Sequence, residues 1–275
     1  MSMLPEQNSI LRRVATDIRS SSSTNSHRTS VDGRPRFAIF PVATVASPIM
    51  PEATHPAMSP EDAALYGWEF AVDDIAALMR GLAIERAHLV GLSMGGYAAL
   101  QFGVRYPEKT SAIVAATVGS GSHPSHRDAW LRETSVLARI FIEHGMVSMS
   151  ERMARGPARI QLKYKDQKSC REFIVRLRQH SALGMSNTMA RCQALRPSLH
   201  DLRHQFSEMT VPVLLAVGDE DVRCLETNLM LKSTLPNAGL GYAIRELGLA
   251  QDRYESALNV WGDIHEEIKA RTATQ

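Results

Sequence analysis

The sequence predicts an α/β fold, a mostly parallel, doubly wound sheet that carries a helical cap insertion. Short apolar segments typical of buried strands alternate with segments whose apolar residues recur at helical spacing, as in parallel sheets with crossover helices. The alternation stops over residues 125–205, which show helical patterns without an apolar strand, and then resumes. We therefore predict an α/β core of residues 37–124 and 206–275, and a helical cap of residues 125–205.

Residues 1–36 are predicted to form a disordered polar tail, because Ser, Thr, Asn and Arg dominate them. A short amphipathic pattern within them, rich in Arg and followed by serines, is the alternative mark of a transit peptide. A buried strand is predicted at 37–45. Ser59-Pro60-Glu61-Asp62 supplies a cap, a first-turn proline and an acid, and so predicts a helix start.

The remaining elements follow from apolar periodicity and from breaks at Gly and Pro. Strands are predicted at 88–91, 111–118, 211–218 and 240–244, and helices at 70–81, 97–106, 129–144, 171–180, 225–235 and 250–270. Within the cap, Met146, Met149 and Met185, or their neighbours, are expected to supply an adaptable apolar wall for a small acyl group.

Composition and charge exclude several classes of protein. The 275 residues contain 44% hydrophobic residues, and Lys+Arg at 31 nearly balance Asp+Glu at 29. This balance gives no electrostatic footprint for nucleic acid or an anionic membrane, and no apolar run approaches the roughly 20 residues of a membrane-spanning helix. The three cysteines are widely spaced, which favours a reducing compartment over a disulfide framework. We predict a cytoplasmic protein without nucleic-acid or membrane partners, and its oligomeric state stays open.

The segment Gly91-Leu92-Ser93-Met94-Gly95 carries the predicted chemistry, because it matches G-x-S-x-G between a strand and a helix. Ser93 is then expected on a nucleophile elbow with φ above zero, where Cβ atoms at 91 or 95 would collide with the turn. The turn aims the Met94 N–H at the place where a substrate oxyanion would form. A glycine-rich turn that only packs the helix closely on the sheet is the alternative.

A serine nucleophile needs a general base and a carboxylate that orients the base. The strand at 211–218 breaks into Asp219-Glu220-Asp221, at the sheet edge where sites gather. Asp221 is the candidate acid. Asp219 is the competitor, and it also fits the role of an aspartate that stabilises the turn.

These segments resemble the α/β-hydrolase fold superfamily, in its bacterial capped serine-hydrolase type. The stretches that carry the resemblance are 72–76, 87–107, 180–184, 211–221 and 235–239. The resemblance implies Ser93 as nucleophile, the Met94 amide as an oxyanion donor and Asp221 as acid. It also implies an activity similar to that of esterases, 3-oxoadipate enol-lactonases or C–C bond hydrolases, with no cofactor and no metal.

The chain departs from this family at the catalytic histidine, which the family places on a loop after the last strand, about 25 to 30 residues beyond the acid. With a gap in the alignment the position falls on Tyr242, and without one it falls near Gly248. The one histidine after Asp221 is His265, which is therefore the candidate base. Its spacing from Trp261 and Ile264 is also typical of the buried face of a helix.

The chain departs again at its start. The family has three strands before the one predicted at 37–45, and a His-Gly loop that donates the second oxyanion N–H; residues 1–36 contain neither. We expect a sheet without those strands and a half-formed oxyanion hole.

Several other histidines lie at the end of the first core segment and in the cap. His123 and His126 follow the strand at 111–118 and are expected near the pocket, but as a pair without a third ligand they do not predict a metal site. The histidines of the cap are expected at the surface or facing substrate: His180, His200 and His204.

The sequence thus predicts a serine hydrolase that acts on a small ester, thioester or lactone through an acyl-enzyme on Ser93, with impaired activity. The elbow and Asp221 favour this interpretation. The missing histidine favours the alternative, a non-catalytic α/β-hydrolase-like protein that binds a small ligand or a protein partner.

Overall fold

A parallel sheet lies at the centre of the computed structural model, which describes residues 61–156, 160–218 and 221–243. Its four strands follow the order β1-β2-β3-β4, and each pairs in parallel with the next. They are β1 Ala87–Leu92, β2 Thr110–Ala116, β3 Val213–Gly218 and β4 Ala238–Ala243. The predicted α/β class with a parallel sheet is confirmed.

Three helices connect or flank these strands. They are α1 Trp68–Gly81, α2 Met94–Arg105 and α8 Val222–Thr234, and short 3-10 turns lie at Ala63–Tyr66 and Pro107–Lys109. In α1 the apolar residues recur every three or four positions, so Val72, Ile75 and Met79 are all buried. The helix start predicted at 59–62 is placed differently: Asp62 caps the first 3-10 turn by accepting the Ala64 N–H at 2.9 Å.

Helices fill the chain between β2 and β3. We call residues 124–208 the helical insert, and its elements are α3 Pro124–Ala154, α4 Ile160–Lys165, α5 Gln167–Arg178, α6 Ala182–Asn187, a π-helix Thr188–Gln193 and α7 Arg203–Glu208. Gly145 interrupts α3 with a left-handed φ of 67°, one residue after the end of the predicted helix at 129–144. The boundary of a separate cap domain stays a prediction.

The sheet and the insert have separate hydrophobic clusters. The main cluster joins α1, α2, α8 and α7 to the strands through fully buried residues that include Phe102, Phe206, Leu215 and Leu231. A second cluster lies inside the insert and contains Phe141, Met146, Met149, Leu177 and Met185.

The three methionines of the predicted pocket wall belong to this second cluster. Met146, Met149 and Met185 are only 6%, 1% and 7% exposed, so they pack within the insert, and a pocket wall formed by them or their neighbours stays a prediction. Helical spacing shows that a face is apolar, but it does not show which other helix covers that face.

Within the described ranges, no helix combines the length and the hydrophobicity needed to cross a bilayer. All three cysteines are free and buried. The predicted tail at 1–36, the strand at 37–45 and the helix at 250–270 lie outside the described residues, and the cytoplasmic location stays a prediction.

Candidate active site

Ser93 occupies a sharp turn between β1 and α2. Its backbone has φ 52° and ψ −110°, a conformation that residues other than glycine rarely adopt. Two hydrogen bonds hold the turn: the Ser93 N–H donates to the Ala116 carbonyl at 2.7 Å, and the Ser93 carbonyl accepts the Tyr97 N–H at 3.0 Å. The Ser93 residue is exposed, so the strained turn presents its hydroxyl outward from the end of β1.

Two glycines allow α2 to begin directly against the sheet. A Cβ atom built on Gly91 would lie 2.3 Å from the carbonyl carbon and oxygen of Gly95. One built on Gly96 would lie 2.4 Å from Cγ1 of Val118. Both distances are far below any real Cβ contact, so the close approach of helix and strand requires glycine at both positions.

Met94 is the first residue of α2, and its N–H therefore has no acceptor within the helix. The positive end of the helix dipole lies at the same place, so this N–H can donate to a developing oxyanion beside Ser93. The Met94 side chain is covered by the π-helix of the insert, because the Cys192 thiol donates to the Met94 sulfur at 3.6 Å.

Asp221 immediately precedes α8, just beyond the end of β3. Since β2 lies between β1 and β3 and neighbouring strands are about 4.8 Å apart, the axes of the strands that lead to Ser93 and Asp221 are about 10 Å apart. Both residues thus lie at the carboxyl edge of the sheet, at a separation of strands that an intervening imidazole ring can span. Asp219, the competing acid, lies outside the described residues.

The environment of Asp221 opposes its charge. Burial raises the pKa of this carboxyl, while a hydrogen bond with the Cys224 side chain and the charge of Arg223 act in the opposite direction. A carboxylate kept at an unfavourable position is typical of residues retained for function rather than for stability.

We expect Asp221→Asn to raise the melting temperature at pH 7. The folded pKa lies above the unfolded one, so ionisation of Asp221 opposes folding at neutral pH. The gain should disappear below about pH 4, where the carboxyl is protonated in both states. Calorimetric melting curves across this pH range measure the effect, and Asp128→Asn, which removes an exposed carboxylate on the first turns of α3, is the control. A lower melting temperature for Asp221→Asn at pH 7 would contradict the expectation.

The candidate positions for the general base fall partly within and partly outside the described residues. Tyr242 lies inside β4, paired with Val217, so the gapped assignment of the histidine position to Tyr242 is wrong. The strand continues to Ala243, and the family's histidine follows the strand rather than lying within it. Gly248 and His265 lie outside the described residues. In the described part of the chain, no side chain forms a hydrogen bond with the Ser93 hydroxyl.

The remaining candidate histidines lie around the insert. His180 follows α5, where burial lowers its pKa, and His204 is exposed on α7. His123 caps the start of α3, and His126 lies on the first turn of the same helix. The expectation that this pair lacks a third ligand is wrong, because Glu226 lies beside it.

Thr117 is a site residue that the sequence did not indicate. It directly follows β2, next to the Ala116 carbonyl that binds Ser93, and it has a left-handed φ of 47°. Its hydroxyl is buried without a partner among the described residues. Two strained residues therefore lie side by side at the ends of β1 and β2, as is common at functional sites. A threonine after an apolar strand carries no signal of this conformation.

Arg196 connects the segment after the π-helix to the same edge of the sheet. It is 4% exposed, and its guanidinium lies 4.8 Å from the centre of the Tyr97 ring and donates to the Ser120 carbonyl at 3.0 Å. Arg127 donates in turn to the Arg196 carbonyl at 2.6 Å. These contacts place the chain after the π-helix over the first turn of α2, at Tyr97, three residues after Met94.

Comparison with known proteins identifies the family of the chain. Residues 57–229, more than half of the chain, match the family described as serine aminopeptidase, S33, and include both Ser93 and Asp221. A 2-hydroxy-6-oxononadienedioate/2-hydroxy-6-oxononatrienedioate hydrolase of Burkholderia vietnamiensis is 28% identical over 60% of this chain and 57% of its own length. A 2-hydroxy-6-oxo-6-phenylhexa-2,4-dienoate hydrolase of Comamonas testosteroni is 26% identical over 54% of this chain and 50% of its own.

The chain thus spans little more than half the length of these curated relatives. Among solved structures, the enol-lactonase from Burkholderia xenovorans LB400 superposes with a TM-score of 0.59 at 19% identity, over 77% of this chain and 75% of that one. The predicted resemblance to the α/β-hydrolase superfamily and its enol-lactonases is confirmed. From the family match and the shared fold, the chain belongs to the serine aminopeptidase, S33, family of α/β-hydrolase fold proteins.

Proposed function

We propose that this chain hydrolyses a small ester, thioester or lactone through an acyl-enzyme on Ser93. The observation that carries the proposal is the strained, exposed Ser93 turn at the start of α2, which Gly91 and Gly96 make possible. The names of the relatives, which include hydrolases and an enol-lactonase, support a reaction at a carbonyl group of a small molecule.

In this mechanism the Ser93 Oγ attacks the carbonyl carbon while a general base removes its proton. The Met94 N–H donates to the oxyanion of the tetrahedral intermediate. The intermediate then collapses. The alcohol or enol oxygen, or the thiol sulfur, leaves the carbonyl carbon and takes the proton from the base. Water attacks the acyl-enzyme in the same way and releases a carboxylic acid and the original serine.

The base is the weakest part of the arrangement. We assign it to His265, the one histidine after Asp221 in the sequence, and we assign Asp221 to the carboxylate that orients the imidazole. No histidine stands at the family's position after β4, so we propose slow turnover. Hydrolases that lose a triad member retain roughly 10³ to 10⁴-fold catalysis over water, and loss of one oxyanion donor costs about 2.7 to 4 kcal/mol more.

Labelling with a fluorophosphonate probe tests this function. We expect slow labelling of the wild type, none of Ser93→Ala, and unchanged slow labelling of Ser120→Ala, which removes another hydroxyl near the same edge. Hydrolysis of a p-nitrophenyl ester should exceed the Ser93→Ala rate only slightly. Intact-protein mass spectrometry locates the adduct, and an adduct that persists in Ser93→Ala would remove Ser93 from the mechanism.

The rate of labelling also tests the assignment of the base. Rapid labelling of the wild type would show a complete triad and would overturn the proposal of impaired activity. If His265→Ala then abolished it, His265 would be the base, and the alternative prediction that it lies on a structural helix face would be wrong.

The second candidate function is a non-catalytic protein that binds a small ligand. The observation that favours it is the Ser93 hydroxyl without a hydrogen-bond partner among the described residues. In this case the probe should leave no adduct after a day, and a carboxylic acid that raises the melting temperature of the wild type should raise that of Ser93→Ala equally.

A further inference from the structure

We propose that His123, His126 and Glu226 bind a divalent transition-metal ion of the Zn²⁺ type where the insert meets α8. The site does not include Ser93 and does not depend on the proposed hydrolase activity. It forms at the surface, since His123 is half-buried and the other two residues are exposed.

The three side chains already lie close to a metal-binding arrangement. Their candidate ligand atoms all lie within 4.8 Å of one another, and Nε2 of His123 is 3.2 Å from Oε2 of Glu226. A tetrahedral zinc ion with bonds of 2.0 to 2.1 Å needs ligand atoms about 3.4 Å apart. The pair of His123 and Glu226 meets this distance. Rotation of the exposed His126 ring can shorten the distances from its nitrogen to the other two ligand atoms.

The fold brings these residues together from separate parts of the chain. His123 and His126 lie at the start of α3, which follows β2, and Glu226 lies near the start of α8, which follows β3. Because β2 and β3 are parallel neighbours, both helices begin at the same edge of the sheet. The third ligand is therefore supplied by tertiary structure, which is why the His-x-x-His pair alone did not predict it.

The donor set suits zinc and related ions. Two imidazole nitrogens and one carboxylate oxygen are ligands that Zn²⁺ takes readily, with a fourth position for water. On the other side of the His123 ring, Nδ1 lies 2.7 Å from the Ser125 hydroxyl. Nδ1 also accepts the Ser125 N–H at 3.3 Å, as the cap of α3. Binding of the ion by Nε2 requires the ring proton to lie on Nδ1, which would replace this longer bond by one donated to the Ser125 hydroxyl and would orient the ring.

Two of the buried cysteines, Cys192 and Cys224, are poor competitors for such an ion. Burial raises the pKa of Cys192 to about 11 and that of Cys224 to about 12, so both stay protonated at neutral pH. A thiolate, not a thiol, is the metal ligand.

A metal ion here would join the insert to the core. The two parts are already connected by Arg223 and Glu133, whose two hydrogen bonds measure 2.8 and 3.3 Å. The ion would add a second bridge between α3 and α8, and binding to the folded state alone stabilises that state. We therefore expect Zn²⁺ to raise the melting temperature.

The test is a titration of the full chain, without an affinity tag, with ZnCl₂ in a calorimeter. We expect one ion per chain for the wild type, and an affinity lowered by about tenfold or more in His126→Ala and in Glu226→Gln. His204→Ala is the matched control, because it removes half of another exposed His–Glu pair, His204 and Glu208, which has no third ligand. It should bind Zn²⁺ like the wild type.

Two further measurements separate loss of the site from loss of the fold. Without metal, His126→Ala and Glu226→Gln should melt like the wild type because both residues are exposed. With metal, only the wild type, His204→Ala and Ser93→Ala should gain stability. Equal Zn²⁺ affinity in all variants, or no binding by the wild type at millimolar Zn²⁺, would overturn the site.

Discussion

Gly91→Val is expected to prevent the chain from reaching its native fold. The Cβ of any side chain at this position would overlap the Gly95 carbonyl at 2.3 Å, and this is backbone that cannot rotate away. Relief requires that the start of α2 move off the sheet, at a cost of about 3 kcal/mol or more. Yield of folded protein and the melting temperature by circular dichroism measure the loss.

Gly81→Val is the matched control for this substitution. Gly81 is the last residue of α1, and a Cβ built there has no atom within 4 Å. This variant should fold and melt close to the wild type. If Gly91→Val behaved like Gly81→Val, the close approach of α2 to β1 would not hold the Ser93 turn in place.

Gly248→His is expected to raise the rate of p-nitrophenyl ester hydrolysis by about 10²-fold. The family places its histidine after the last strand, about 25 to 30 residues beyond the acid, and Tyr242 lies within β4, so the ungapped position near Gly248 replaces Tyr242 as the place to restore it. A positioned general base typically contributes 10²-fold or more. Initial rates at pH 7 to 8, where an imidazole is neutral, measure the gain.

The control for this gain is the double variant Ser93→Ala/Gly248→His. An imidazole on the surface can itself react with an activated ester, and that background survives in the double variant. A gain that is equally large without Ser93 would refute restoration of the triad. A gain that needs Ser93 but also needs His265 would make His265 part of the active arrangement.

Local features of the fold could be predicted because their causes are local. The turn at Ser93 follows from glycines and a strand-to-helix change within a few residues, and the apolar strands follow from composition alone. The ends of the helices and strands were harder to predict. The strand predicted at 111–118 stops at Ala116, because Thr117 takes a left-handed φ that no strand can continue.

Contacts between distant segments could not be predicted from periodicity. An apolar helical residue such as Met149 can belong to a hydrophobic core or to the wall of a pocket. Only the packing of the insert shows that Met149 lies in a core. Likewise, Arg196 gives no sign in the sequence that its charge is buried against Tyr97. Glu226 joins His123 only because β2 and β3 are neighbours.

The interruption of α3 at Gly145 affects how this helix unfolds locally. The half before it carries Glu133, which is bonded to α8, and both halves pack into the insert's own cluster, through Phe141 before the interruption and through Met146 and Met149 after it. Helix unwinding spreads from turn to turn along continuous hydrogen bonds, and the left-handed residue breaks that continuity. We therefore expect local fraying from the far end to stop at Gly145, while the shared cluster keeps the two halves in one cooperative unit in amide exchange.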